Sequence, residues 1–137
     1  MAVLLFSSEM RREEHQIRRI LGELNQNVEV YRSWNRLSRR FERPRGDICL
    51  MIFAMRNREI LNHLVLMRGQ MYDLSVVLIL PDAAKETMLK AHKFYPRFIT
   101  FTGSDYSDLS LALQNMIHRE CENVNEGTGE VVQMNGT

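Results

Sequence analysis

The stretch "DICLMIFAM" (Asp47 to Met55) is an unbroken apolar run opened by one acid. A strand that alternates apolar and polar residues has one face in water, whereas a continuous run has both faces covered, as in the interior of a parallel sheet. "AVLLFS" (Ala2 to Ser7) and "SVVLIL" (Ser75 to Leu80) have the same continuous texture. "VEVYR" (Val28 to Arg32) and "RFITFT" (Arg97 to Thr102) alternate instead. Strands one, three and four are therefore expected inside the sheet, with two and five at its edges.

Helical patterns separate these runs. Ile17, Ile20, Leu21 and Leu24 make the first apolar stripe, and Trp34, Leu37 and Phe41 the second, ended by Pro44 and Gly46. Asn57 is placed to cap a third helix with stripe Ile60, Leu64, Met67 and Met71. Asp82 is read as the cap of a fourth with Ala84, Met88, Ala91 and Tyr95 inward. Asp105 and Asp108 read as a variant capping box before a last helix with Leu109, Leu113, Met116 and Ile117 inward. Five strands alternating with five helices, with those edges, predict an α/β doubly wound sheet of order 2-1-3-4-5 between two helical layers.

The chain has 137 residues, enough for one domain, with 45% hydrophobic and 26% charged residues. Residues 1–121 are expected to form that domain, and the polar, Gly-bearing stretch 122–137 a disordered tail. No apolar run approaches the roughly 20 residues that cross a bilayer, and no signal peptide is evident, so a cytoplasmic protein without a membrane segment is expected. Two cysteines do not make a disulfide framework; Cys49 is expected buried and Cys121 to be an ordinary free thiol.

Net charge is +1, unevenly placed. Residues 1–68 carry a net +5 and residues 69–137 a net −4. Six arginines fall in "RSWNRLSRRFERPR" (Arg32 to Arg45). Arg36, Arg39 and Arg40 are candidates for docking an acidic partner, beside the plainer reading of a solvated amphipathic helix with Trp34 in the core. Near-neutral total charge disfavours nucleic acid, whose non-specific binding rests on a strong basic excess. His15, His63, His92 and His118 are dispersed, and His118 with Cys121 is too sparse for a metal centre. No Ser-His-Asp constellation, Gly-rich phosphate loop or dinucleotide fingerprint occurs, so neither enzyme activity, metal nor cofactor is expected.

In order and spacing, "VLLFSSE", "DICLMIF", "SVVLILPDA" and "RFITFTGSDYSDLSLAL" resemble the receiver domains of two-component response regulators, the CheY-like members of the flavodoxin-like (βα)5 folds. The resemblance covers Ala2 to about Arg119. It implies an acidic metal-binding pair at Ser7 and Ser8, a phosphoacceptor aspartate at Ile52 beside Phe53, a hydroxyl switch at Leu80 (or Ile79 in a frame shifted by one), and a lysine at Phe101, followed by Thr102. Each of these positions has lost its chemistry. Phosphoryl transfer to a carboxylate needs a nucleophile and a Mg²⁺ held by carboxylates, and serine, isoleucine and phenylalanine supply neither.

The resulting expectation is a degenerate pseudo-receiver: a phosphorylation-independent interaction or regulatory module in bacterial signal transduction, working through a protein partner. The resemblance implies a homodimer through the fourth helix, fifth strand and last helix, with Lys90, Tyr95, Arg97 and Tyr106 on that face. The alternative is a small-ligand or nucleotide sensor using a crevice at the strand carboxyl ends, lined by Ser7, Ser8, Ile52, Phe53 and Phe101. Ser7 and Ser8 have a plainer expected role in capping the first helix, with Glu9 in its first turn.

Overall fold

The computed structural model describes residues 2–119 apart from Arg45 and Tyr72. The elements are β1 (Ala2–Ser7), α1 (Arg11–Glu23), β2 (Asn27–Tyr31), α2 (Trp34–Phe41), β3 (Ile48–Ala54), α3 (Arg58–Leu66), β4 (Val76–Leu80), α4 (Lys85–Ala91), β5 (Phe98–Phe101) and α5 (Ser107–Ile117), with short 3-10 turns at Arg68–Gln70 and His92–Phe94. All pairings are parallel and the strand order is β2-β1-β3-β4-β5. This is the order the strand textures require. β3 and β4 are buried along their whole length and β1 along all but its first residue, while β2 and β5 are only half-buried.

Side-chain alternation divides the interior into two apolar layers. Val3, Leu5, Ile52 and Ile79 pack toward Ile17 and Leu21 of α1 and Leu109 and Leu113 of α5. Leu4, Phe6, Phe53 and Leu78 pack toward Leu37 of α2, Leu61 and Leu64 of α3 and Ala91 and Phe94 beside α4. Each fully buried aliphatic or aromatic side chain stabilises the fold by about 1.5–3 kcal/mol through removal from water. On the α2 side, the Phe6 ring lies 4.8 Å from Trp34 and 6.2 Å from Phe53, measured between centroids.

Caps set several helix starts. Asn57 Oδ1 accepts from the Ile60 N–H at 3.1 Å, as its position suggests, and Ser33 Oγ accepts from the Arg36 N–H at 3.4 Å. Elsewhere the structure differs from expectation. Asp82 does not sit at the cap of α4; that place is Ala84, and Asp82 Oδ1 accepts from the Ala84 N–H and the Thr87 hydroxyl from two residues upstream. Thr87, Ala91 and Phe94 are the buried residues of this segment, whereas Tyr95, in a left-handed conformation (φ 50°), is 87% exposed. The inward stripe breaks because the helix tightens into a 3-10 turn after Ala91, which rotates Tyr95 outward. Asp105 likewise lies one residue before the α5 cap, Tyr106, and binds the Ser107 N–H and hydroxyl rather than forming a capping box.

Cys49 is buried as expected, and its sulfur belongs to a disulfide, which corrects the reading of Cys49 as unbridged. Cys121 and the tail 122–137 lie outside the described residues. Among the described residues no helix is long and apolar enough to cross a membrane.

Candidate functional site

In an open parallel sheet, ligands and catalytic groups gather beyond the carboxyl ends of the strands. Ser7 is the last residue of β1 and is level with Ala54, the last residue of β3; Ala54 is in turn level with Ile79 of β4, and Ile79 with Thr100 of β5. The next rung holds Met55, whose N–H donates to the Ile79 carbonyl, together with the register partners Leu80 and Phe101. The strand ends therefore present a hydroxyl, methyl and alkyl groups, a thioether and an aromatic ring, with no carboxylate or ammonium on the strands themselves.

The register places the sequence-predicted positions more finely. Ile52 is level with Leu5, one full side-chain repeat below the rung of Ser7, and it packs into the α1–α5 layer. The residue facing Ser7 across the ladder is Ala54. Phe53 packs into the opposite layer beside Phe6. Neither Ile52 nor Phe53 has exposed surface, so neither can line an open crevice; the pleat sends neighbours to opposite faces and both faces are filled. Leu80 is also wholly buried, and Phe101 is half-buried.

Ser7 is 1% exposed, and its hydroxyl donates to the Met10 carbonyl at 3.2 Å, closing the β1–α1 turn. Ser8 is half-buried, and the cap of α1 is Met10, with no side-chain hydrogen bond. The expected capping by the serine pair is thus corrected: helix 1 begins two residues later than a Ser8 cap requires, because Ser7 ties the turn from within the strand. Glu9 lies in the turn rather than the helix, at φ 58°, and pairs with Arg56 of the β3–α3 turn at 2.8 Å.

Two acids missed as structural groups lie in the first turn of α1. Glu13 accepts a hydrogen bond at 3.1 Å from the Tyr106 hydroxyl. Tyr106 is 3% exposed, and burial, reinforced by the nearby Glu13 charge, raises its phenol pKa to about 12. Its expected place on a partner-binding face is therefore corrected: a left-handed residue before α5 turns the ring inward over α1. Glu14 accepts from Arg32 Nε at 2.9 Å and Nη2 at 2.6 Å and lies 3.5 Å from Arg18. The Arg32 hydrogen bonds hold its carboxyl below the usual range, against opposition from burial.

The Arg-rich helix divides by face. Arg36 and Arg39 are exposed. Arg40 is 3% exposed: Nε binds Glu29 at 2.9 Å, Nη2 binds Asp47 at 2.7 Å, and Nη1 donates to the Pro44 carbonyl at 3.1 Å. Arg40 thus joins β2, α2 and the approach to β3 and is withdrawn from the docking candidates. Leu37 and Phe41 point inward on the same helix, and position 40, next to Phe41 and one turn after Leu37, shares their face.

On the fourth-helix side, Lys90 binds Asn62 Oδ1 at 2.6 Å and Glu86 at 3.2 Å, and Arg97 is exposed. Leu89 of α4, Tyr95 and Leu111 of α5 are large hydrophobic side chains with most of their surface in water. Leu89 and Leu111 went unremarked in the sequence, since each sits at an ordinary helical position whose outward direction depends on how its helix is docked.

This fold recurs in solved structures. A response-regulator receiver domain from Clostridium thermocellum has a TM-score of 0.68 at 17% identity, covering 92% of this chain and all of its own. A response regulator from Thermotoga maritima has a TM-score of 0.68 at 15% identity, covering 85% and 98%. A putative pilus assembly-related protein from Burkholderia pseudomallei has a TM-score of 0.63 at 16% identity, covering 88% and 89%. No protein-family model matches the chain, and no curated protein matches it. The chain has the flavodoxin-like fold of CheY-like receivers, five parallel strands in order 2-1-3-4-5 alternating with five helices.

Proposed function

We infer that the chain is a pseudo-receiver, a receiver-fold module that acts by binding a protein partner without being phosphorylated. The observation that carries this reading is the chemistry of the strand ends. Ser7, Ala54, Leu80 and Phe101 occupy the last two rungs of the central and edge strands, and none can accept a phosphoryl group as a carboxylate, replace the charge that holds Mg²⁺, or neutralise a phosphate. Glu9, the carboxylate in the β1–α1 turn, is engaged by Arg56. A wholly buried Ile52 and Phe53 weigh against the alternative of a small apolar ligand seated among them.

Leu89, Tyr95 and Leu111 support the interaction role, since a protein interface gains most from apolar and aromatic groups that lose water on docking. The fold's use in a protein described as pilus assembly-related leaves the process open beyond phosphorelay. Two measurements test the reading. Incubation with acetyl phosphate and Mg²⁺ is expected to leave the intact mass unchanged; a stoichiometric phosphoryl adduct sinks the reading. Light scattering on the full chain is expected to show a dimer that Leu89→Asp with Leu111→Asp converts to monomer; an unchanged dimer removes this face as the homodimer contact.

A further inference from the structure

A cleft of about 790 Å³ lies between the outer face of α1 and the ends of β1 and β2. That size is within the range of small-molecule sites, roughly 300–1,000 Å³. Ser7 lines it from the end of β1, Arg11, Glu14, His15, Arg18 and Arg19 from α1, and Arg32 from the residue after β2. Positions 11, 15 and 18 fall on one helical face, spaced by four and three residues, so three basic side chains project along the same wall.

The charges in this cleft do not cancel. Glu14 is the carboxylate shared by Arg32, through two hydrogen bonds, and by Arg18 at 3.5 Å. Glu9 also borders the cleft but is paired with Arg56. Among the described residues, Arg11 has no carboxylate partner. Of the four guanidiniums that line the cleft, Arg18 and Arg32 therefore share one acid, Arg19 pairs with Glu23 at 3.9 Å, and Arg11 has none among the described residues, while His15 adds two ring nitrogens. Guanidinium forks match the two-oxygen faces of phosphoryl and carboxylate groups.

We propose that this cleft binds a small organic polyanion carrying at least two negative charges at one end, a phosphoryl or a polycarboxylate group, with Arg11 and Arg18 as its principal contacts and the Glu14–Arg32 pair as the fixed wall that orients Arg18. Its named contacts, Arg11 and Arg18, lie on α1 and are not among the strand-end residues Ser7, Ala54, Leu80 and Phe101, so its test stands apart from that of the pseudo-receiver reading.

Titration calorimetry with inorganic pyrophosphate and, separately, citrate provides the test, using the full chain at physiological salt. Saturable one-to-one binding of either probe is expected, weakened roughly tenfold or more in the Arg11→Gln/Arg18→Gln variant, since it removes two guanidinium forks that donate to the anion. The two arms distinguish a phosphoryl from a polycarboxylate ligand. Both substitutions are on exposed side chains and leave the Glu14–Arg32 pair in place; an unchanged melting temperature verifies folding. Arg36→Gln/Arg39→Gln, on α2, is expected to bind as the parent does. Equal weakening in both variants indicates diffuse attraction to a basic surface and overturns the proposal, as does no heat from either probe at millimolar concentration.

Discussion

Ser7 and Ala54 are register partners on the last rung of the β1–β3 ladder, each with almost no exposed surface. A carboxylate placed at Ala54 faces a neutral hydroxyl already donating to the Met10 carbonyl, not an acidic pair that could hold a cation. Ala54→Asp is therefore expected to destabilise the fold by more than about 3 kcal/mol, through burial of an unpaired charge, without gaining stability from Mg²⁺. Thermal melts with and without Mg²⁺ measure both parts. A variant that is stable and stiffened by Mg²⁺ would contradict the account of this rung.

Arg40 holds Glu29, Asp47 and the Pro44 carbonyl from one buried guanidinium. Burial opposes its charge, but Glu29 and Asp47 outweigh that and keep it firmly protonated. Arg40→Ala is expected to cost about 2–4 kcal/mol in urea unfolding, and Arg40→Lys most of that, because an ammonium cannot reach three acceptors in a fork. Arg39→Ala, on the exposed face, is expected to change stability by less than about 0.5 kcal/mol.

The buried Tyr106 phenol, raised to about 12 by its burial and by Glu13, gives an alkaline signature. A raised folded value means that Tyr106 contributes stability present below its unfolded pKa near 10 and lost as pH climbs toward 12. An absorbance titration of tyrosinate is expected to lose its latest-ionising step in Tyr106→Phe, while Tyr31, raised by its own burial and by Glu29, still ionises late. If Tyr106→Phe leaves the latest step in place, the Glu13 contact is misassigned.

Glu14 acts at the other end of the pH scale. Its folded pKa is lowered chiefly by Arg32, so the stability it contributes is present above its ordinary value near 4.5 and disappears as pH falls through the folded value. Acid unfolding monitored by circular dichroism is expected to start at higher pH in the parent than a fit without this group allows, and Glu14→Gln is expected to be less stable at pH 7 with a shallower loss below pH 4.5. A Glu14→Gln curve parallel to the parent's across that window removes the linkage.

Asn57→Ala deletes the side-chain acceptor of the Ile60 N–H at the start of α3. The expected loss is about 1 kcal/mol, measured by urea midpoint, with Asn57→Asp close to neutral or stabilising.

The sheet was legible because its signal is local. Whether a strand alternates or runs apolar depends only on how many of its faces are covered, and the runs at Ala2, Asp47 and Ser75 against those at Val28 and Arg97 were enough to separate centre from edge. The hydroxyl, alkyl and aromatic residues of the strand ends were legible too, but not their register, which pairs Ser7 with Ala54 and Leu5 with Ile52. A count along a sequence fixes spacing within a strand but not the stagger between strands.

The residue types at the strand ends, the five-fold alternation and the uneven charge are properties of the chain alone, since each follows from residues near one another in sequence. Tertiary structure decided the fate of individual polar side chains. Arg40 and Tyr106 look like surface groups until Glu29 and Asp47, or Glu13 from the far end of the chain, are brought beside them. The α1–β2 cleft arises in the same way, from Arg32 crossing to a helix that starts 21 residues earlier. Burial of a charge depends on which partners the fold delivers, and partners distant in sequence leave no periodic trace.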